Sequence, residues 1–291
     1  MMTIITQELI VPRLRPRPLQ AHKGMYGRLL LVTGCRMYRG AAQLAVLGAL
    51  RIGTGIVTLA SIEPVLAATV GTLPECTLLP LSEGMDGLAK PENAALLADA
   101  AADCSAVVLG CGLGQGPGPT AILERLTTAT HGPLLLDADG LNLLARAPQL
   151  LHRRAGPTIL TPHPGEMARL CGKTAAEVQH AREATATRFA AEFQCIVVLK
   201  GHDTLVALPG GQCFFNKTGG PGLAKAGSGD LLAGLIGGLL AQGLTPADAA
   251  ICGVYLHGAA ADLCAARKSN TGMLPHELAE DLCNLLLSYG L

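Results

Sequence analysis

The sequence predicts a three-layer αβα sandwich, a mostly parallel central sheet covered by helices on both faces, with an antiparallel edge. Short apolar runs alternate with Ala/Leu-rich stretches of helical character through most of the chain. Three later runs lie too close together for crossovers and fit hairpins instead. Beyond Gly229 the sequence is helical in character.

The first run, residues 29–33, leads to a helical stretch at 41–51 and a second run at 56–60. Further runs at 106–109, 134–136 and 158–160 are short and largely apolar, as strands buried on both faces require. Residues 196–199 and 204–208 are separated only by Lys200-Gly201-His202-Asp203, and a third run follows at 212–215. Helices are predicted at 230–242, 246–267 and 275–288. No repeat or low-complexity linker divides the chain, so residues 1–291 read as one domain. The Pro/Arg-rich segment 11–18 places an extended arm over residues 1–20.

Charge is balanced, 22 Lys and Arg against 22 Asp and Glu. No general field recruits nucleic acid or an anionic membrane, so an anionic ligand must be held by local groups. With no Trp and 3% aromatic residues, the core is expected from Ala, Leu, Val and Ile. The ten cysteines include no Cys-x-x-Cys pair, and several lie inside apolar runs such as Ile251-Cys252-Gly253-Val254. They read as small buried hydrophobes in a reducing compartment. Residues 3–8 lack the basic start and apolar stretch of a secretory signal, and no apolar run reaches the roughly 18 residues of a membrane span. The expectation is a cytoplasmic protein.

In a doubly wound sheet, ligands bind beyond the carboxyl ends of the strands. Here those ends are rich in Gly and polar residues. Residues 107–109 lead into Gly110-Cys111-Gly112-Leu113-Gly114-Gln115-Gly116, and 134–136 into Asp137-Ala138-Asp139. Residues 158–160 lead into Thr161-Pro162-His163-Pro164-Gly165-Glu166, and 197–199 into Lys200-Gly201. Taken singly, Asp139 reads equally as a helix cap, and His163 as a loop histidine without chemistry. Four such ends in one sheet point to a site.

The sharpest element is the run 219–230, Gly-Gly-Pro-Gly-Leu-Ala-Lys-Ala-Gly-Ser-Gly-Asp, which enters directly a helical stretch at Leu231. Unpaired N–H groups at a helix N-terminus, with about half a positive charge, receive phosphate or a developing oxyanion. Gly227 and Gly229, flanking Ser228, let the backbone close on that anion. Asp230 falls in the first turn, where its carboxylate can accept a proton from a substrate hydroxyl. The alternative is a capping Asp behind a flexible loop. Three competing motifs fail. A Gly-x-Gly-x-x-Gly fingerprint from Gly110 or Gly112 ends on Gln115 or Pro117. A P-loop at Gly172-Lys173-Thr174 needs glycine where Met167 stands, and zinc-protease spacing from His276-Glu277 needs histidine where Glu280 stands.

At these residues the chain resembles the ADP-dependent NAD(P)H-hydrate dehydratase family, a branch of the ribokinase-like fold. The likeness runs from His22-Lys23-Gly24 to Leu274-Pro275-His276-Glu277-Leu278, and is most specific in Pro162-His163-Pro164-Gly165-Glu166 combined with Gly227-Ser228-Gly229-Asp230. It implies that Asp230 activates the C6 hydroxyl of the S-epimer of hydrated NADH or NADPH, which takes a phosphoryl group from ADP with Mg2+ present. Phosphate then leaves and the reduced cofactor is restored. By the same resemblance, Lys200, Gly201, His202, Asp203 and Thr204 line the nucleotide side with Gly227, Ser228 and Gly229. Ala42, Gly114, His163 and Asp230 face the hydrate.

The chain departs from the family at Cys111, where proline is usual, at Gly220, where asparagine is common, and at Lys225, where threonine is frequent. Lys225 either adds phosphate affinity or is only solvated. A homo-oligomer is expected. Many relatives carry an N-terminal epimerase, and only about two dozen residues precede Gly24, so an epimerase, if one exists, is expected as a separate protein. The nearest rival is a ribokinase-like vitamin kinase acting on a hydroxymethylpyrimidine or thiazole alcohol, which has no need of the Pro-His-Pro-Gly-Glu segment. A non-catalytic nucleotide-binding regulator is the other, and it would gain nothing from Asp230 at the phosphate.

Overall fold

In the computed structural model, which describes residues 2–291, a single ten-stranded sheet runs through the chain. Its strands are β1 (Met2–Ile5), β2 (Arg28–Val32), β3 (Ile56–Ile62), β4 (Thr77–Leu81), β5 (Ala106–Leu109), β6 (Leu134–Leu136), β7 (Thr158–Leu160), β8 (Ile196–Leu199), β9 (Thr204–Ala207) and β10 (Cys213–Asn216). The helices are α1 (Gln7–Ile10), α2 (Arg39–Arg51), α3 (Glu63–Val70), α4 (Asn93–Ala102), α5 (Pro117–Ala129), α6 (Asp139–Leu144), α7 (Pro164–Cys171), α8 (Ala175–His180), α9 (Arg182–Phe193), α10 (Ser228–Ala241), α11 (Pro246–Lys268) and α12 (Leu278–Ser288). The strand order is β1-β10-β9-β8-β7-β6-β5-β2-β3-β4.

Leu29, Leu30, Leu31 and Val32 are all fully buried, as are Leu134, Leu135 and Leu136. The absence of polar alternation in these runs therefore follows from helices covering both faces. Only β9 runs against its neighbours, because two short turns reverse the chain on either side of it. The first uses Asp203 in a left-handed conformation at φ +56°. This is the antiparallel edge expected from the close spacing, and β1 adds a parallel strand outside it.

That last pairing changes the picture of the N-terminus. Residues 2–5 are strand and 7–10 are helix, and only the stretch after Arg13 is extended. Thr3-Ile4-Ile5 is β-prone, and Ile5 is buried once β10 offers an open edge. The sequence reading also did not include β4, an outer strand that contains Pro80, the kind of position at which a proline is tolerated.

Two helix glycines bring the site into place. A Cβ on Gly234 would collide with the Ala45 carbonyl, and one on Gly48 with the Leu231 carbonyl. The backbones of α2 and α10 therefore touch, which fixes the N-terminus of α10 against the sheet. Helix α11 is long and apolar enough to cross a membrane, but 67% of its apolar window is buried in the fold, where it packs on β7 to β10. All ten cysteines are free thiols, most of them buried.

Candidate active site

The carboxyl ends of β5, β6, β7 and β8 converge on one buried polar cluster. Asp137, just after β6, is 1% exposed, and its Oδ1 accepts from Lys200 Nζ at 2.6 Å and from Thr161 Oγ1 at 2.7 Å. Lys200 Nζ also lies 3.9 Å from Glu166 Oε2. Cys111 Sγ donates to Asp137 Oδ2 at 3.7 Å, and the ligating atoms of Cys111, Asp137 and Asp230 lie within 4.8 Å of one another. The ammonium of Lys200 is thus engaged in an ion pair at the floor of the site.

The two aspartates differ in their partners. Asp137 is held by Lys200 and Thr161, whereas Asp230 has no cation of its own. Burial, reinforced by the charge of Asp137, pushes the pKa of Asp230 up to about 6. Burial also pushes Glu166 up to about 7, against the pull of Lys200. For Lys200, burial opposes the charged form, but the carboxylates of Asp137 and Glu166 outweigh it and raise the pKa. Burial, then Asp137 and Asp230, hold the Cys111 thiol well above its ordinary range, so it acts as a protonated donor and not as a nucleophile. A carboxylate poised near neutrality is suited to accept and return a proton.

Asp230 is the third residue of α10, whose N-cap is Gly227 at φ +96°, a conformation costly for any residue with a Cβ. The N–H groups of Gly229 and Asp230 find no partner among the described residues. Gly229 needs space more than an unusual backbone, since a Cβ there would lie 3.1 Å from Lys200 Nζ and 3.8 Å from Asp137 Oδ2. Beneath this turn are two buried polar atoms without partners, Ser228 Oγ and His257 Nε2. Burial pushes His257 down to about 4 and keeps its imidazole neutral.

These groups border a cavity of about 900 Å3. The run from Gly219 to Asp230 closes one side, Lys200, Gly201, His202 and Thr204 another, and Val254, His257 and Gly258 of α11 contribute further wall. His163 lines it too, and is also the N-cap of α7: its Nδ1 accepts from Gly165 N at 3.0 Å, while Glu166 Oε2 accepts from His163 N at 2.8 Å. Burial, then Lys200 and Arg169, lower its pKa, so this imidazole is neutral as well.

The structure therefore brings together Lys200, Gly201, His202, Thr204, Gly227, Ser228, Gly229, Asp230 and His163. Asp203 does not line the cavity; its carboxylate is taken by Lys217 at 2.5 Å and faces His202 at 3.5 Å. Ala42 is fully buried in α2, and Gly114 is buried beneath Leu88, so neither reaches the cavity wall. Asp139 is not a cap. Ala138 holds that position, and Asp139 Oδ2 accepts from Gly114 N at 2.9 Å, fastening the glycine loop after β5. Sequence reasoning did not single out the Asp137–Lys200 pair, nor Asn216, Thr218 and His257 in the cavity wall. For His257, a lone histidine in an apolar helix was the only available signal.

The sheet topology and the acid at the N-terminus of α10 place the chain in the ribokinase-like class of nucleotide-using enzymes. The profile of the NAD(P)H-hydrate dehydratase family matches residues 29–284, and the chain belongs to that family. It is 39% identical over 277 residues to the ADP-dependent (S)-NAD(P)H-hydrate dehydratase of Bacillus subtilis (strain 168), covering 95% of each chain. With the bifunctional NAD(P)H-hydrate repair enzyme Nnr of Moorella thermoacetica it shares 40% identity over 266 residues, 91% of this chain and 50% of the relative. The chain thus spans about half the length of such bifunctional relatives. A crystal structure of an ADP/ATP-dependent NAD(P)H-hydrate dehydratase from Bacillus subtilis, co-crystallized with ATP/Mg2+, matches with a TM-score of 0.87 at 37% identity over 99% and 98% of the two chains.

Proposed function

We propose that this chain catalyses the nucleotide-dependent dehydration of the S-epimer of hydrated NADH or NADPH, with ADP as donor, yielding the reduced cofactor, AMP and phosphate. The observation that carries this reading is Asp230, an acid with a pKa of about 6 and no cationic partner, beside unpaired N–H groups at the wall of a large cavity. The family membership and the names of the relatives support the substrate class.

In this reading the C6 hydroxyl gives its proton to Asp230 as its oxygen bonds to the terminal phosphorus of ADP, and AMP departs. The N–H groups of Gly229 and Asp230 hold phosphate oxygens. The C6–O bond then breaks with phosphate as leaving group, pushed by the ring nitrogen, and a proton lost from C5 restores the double bond. Lys200, Gly201, His202 and Thr204 border the nucleotide, and His163 the hydrate.

Magnesium fits as an ion carried mainly by the nucleotide. Asp137 Oδ1 is already committed to Lys200, and Cys111 is a poor ligand for a hard cation, which leaves Asp230 and Asp137 Oδ2 as oxygen donors beside the phosphates. Such an ion neutralises charge on the donor phosphates. The proposal includes a cytoplasmic homo-oligomer.

Incubation with hydrated NADH, Mg2+ and either ADP or ATP tests the reading. The expected result is nucleotide-dependent recovery of reduced-nicotinamide absorbance, with AMP and phosphate formed in equal amounts from ADP. Persistence of the hydrate while a pyrimidine or thiazole alcohol is phosphorylated would replace it with a vitamin kinase.

A further inference from the structure

Two lysines line the cavity, and they are held in different ways. Lys200 is matched by Asp137 at 2.6 Å. Lys225, five residues before Asp230 in the run that enters α10, donates from Nζ to the carbonyl oxygens of Thr271 at 2.6 Å and Met273 at 2.5 Å. Among the described residues no carboxylate lies within ion-pair distance of it. Two of its three N–H bonds are therefore spent on backbone carbonyls, and the third is uncommitted.

This positive charge has a counterpart that works against binding. Asp230, ionised above a pH of about 6, presents a negative charge to the same cavity that must admit phosphate. Lys200 is paired with Asp137, so Lys225 is the cavity cation that no carboxylate already holds. A neutral donor would serve equally well as a strut between the glycine run and the 271–273 turn. A half-buried ammonium resting on two carbonyls gains a charge-assisted bond if an anion completes its shell. The chain has no net charge to attract that anion from a distance.

We propose that Lys225 is a phosphate-recognition residue, holding the phosphate chain of the donor nucleotide against the N-terminus of α10. The inference rests on the nucleotide reading above. Its role is graded by ligand charge: large for a nucleoside diphosphate, smaller for a monophosphate, and absent for the nucleoside.

Calorimetric titration of wild type, Lys225→Met, Lys225→Thr and Lys225→Arg with ADP, AMP and adenosine separates charge from strut. Lys225→Met and Lys225→Thr should weaken ADP binding roughly tenfold or more and AMP binding less, leave adenosine within about twofold, and Lys225→Arg should restore most of the loss. Equal losses for all three ligands would mean that Lys225 only braces the loop, and unchanged ADP affinity in Lys225→Met would overturn the proposal alone. Failure of the wild type to bind ADP would overturn both this inference and the nucleotide reading.

Discussion

Two glycine-rich runs meet at the carboxyl edge of the sheet, and they behave oppositely. The run from Gly110 to Gly116 is packed shut: Gly112 sits at φ +61° with room for no Cβ between Tyr38 and Ala41, Leu88 covers Gly114, and the Gly114 N–H is spent on Asp139. The run from Gly219 to Gly229 instead wraps a cavity and leaves first-turn N–H groups free. Glycine spacing in a sequence announces a close approach. Whether the approach is to the protein's own backbone or to a ligand depends on whether the N–H groups already have partners.

The comparison can be broken most severely at Asp230. Asp230→Asn should lower turnover by roughly 10²–10⁴-fold while the fold and nucleotide binding persist, the usual effect of removing a general base. Steady-state kinetics on the purified variant, with its melting curve, decides this; wild-type turnover would remove Asp230 from the chemistry.

A smaller effect distinguishes the two runs directly. Gly229→Val, whose Cβ presses on Lys200, should weaken ADP binding by roughly tenfold at modest cost in stability. Gly112→Val should do the reverse, with about 2 kcal/mol or more of destabilisation from the left-handed backbone and the crowded Tyr38 contact. Paired calorimetry and denaturant unfolding would show it, and equal profiles for the two variants would erase the distinction.

The smallest and broadest effect is in pH. As Asp230 protonates below about 6, kcat/KM should fall, approaching about tenfold per pH unit, and Asp230→Asn should lack that limb. Stability moves the other way. Asp230 and Glu166 have raised folded-state pKa values, so their contribution is fully present below the ordinary carboxylate range and is lost as pH rises through about 6 and 7. Melting temperatures of wild type and Asp230→Asn from pH 4 to 8 should therefore converge at the acid end, with the variant relatively more stable at pH 8.

The strands buried on both faces were legible because nothing polar interrupts them, as at residues 106–109 and 134–136. Strands β1 and β4 were not, being short outer strands whose residues answer to one neighbour only. In the site, Gly227 to Asp230 were legible because the residues that act together are contiguous. The Asp137–Lys200 pair was not, since 63 positions separate residues brought within 2.6 Å by the ends of β6 and β8. Ala42 and Gly114 came with the family resemblance, and burial keeps both from the cavity wall in this conformation.

The pairing of β1 with β10 has a consequence for the order in which the molecule assembles. Met2 to Ile5 dock beside Cys213 to Asn216, and Asn216 is part of the cavity wall. A ribosome delivers one partner about two hundred residues before the other, so β1 must wait while most of the sheet is synthesised. Closing so long a loop early is entropically unfavourable, whereas adding a strand to an already ordered edge is cheap. The sheet edge that carries Asn216 is thus covered late in folding, by a strand made about two hundred residues earlier.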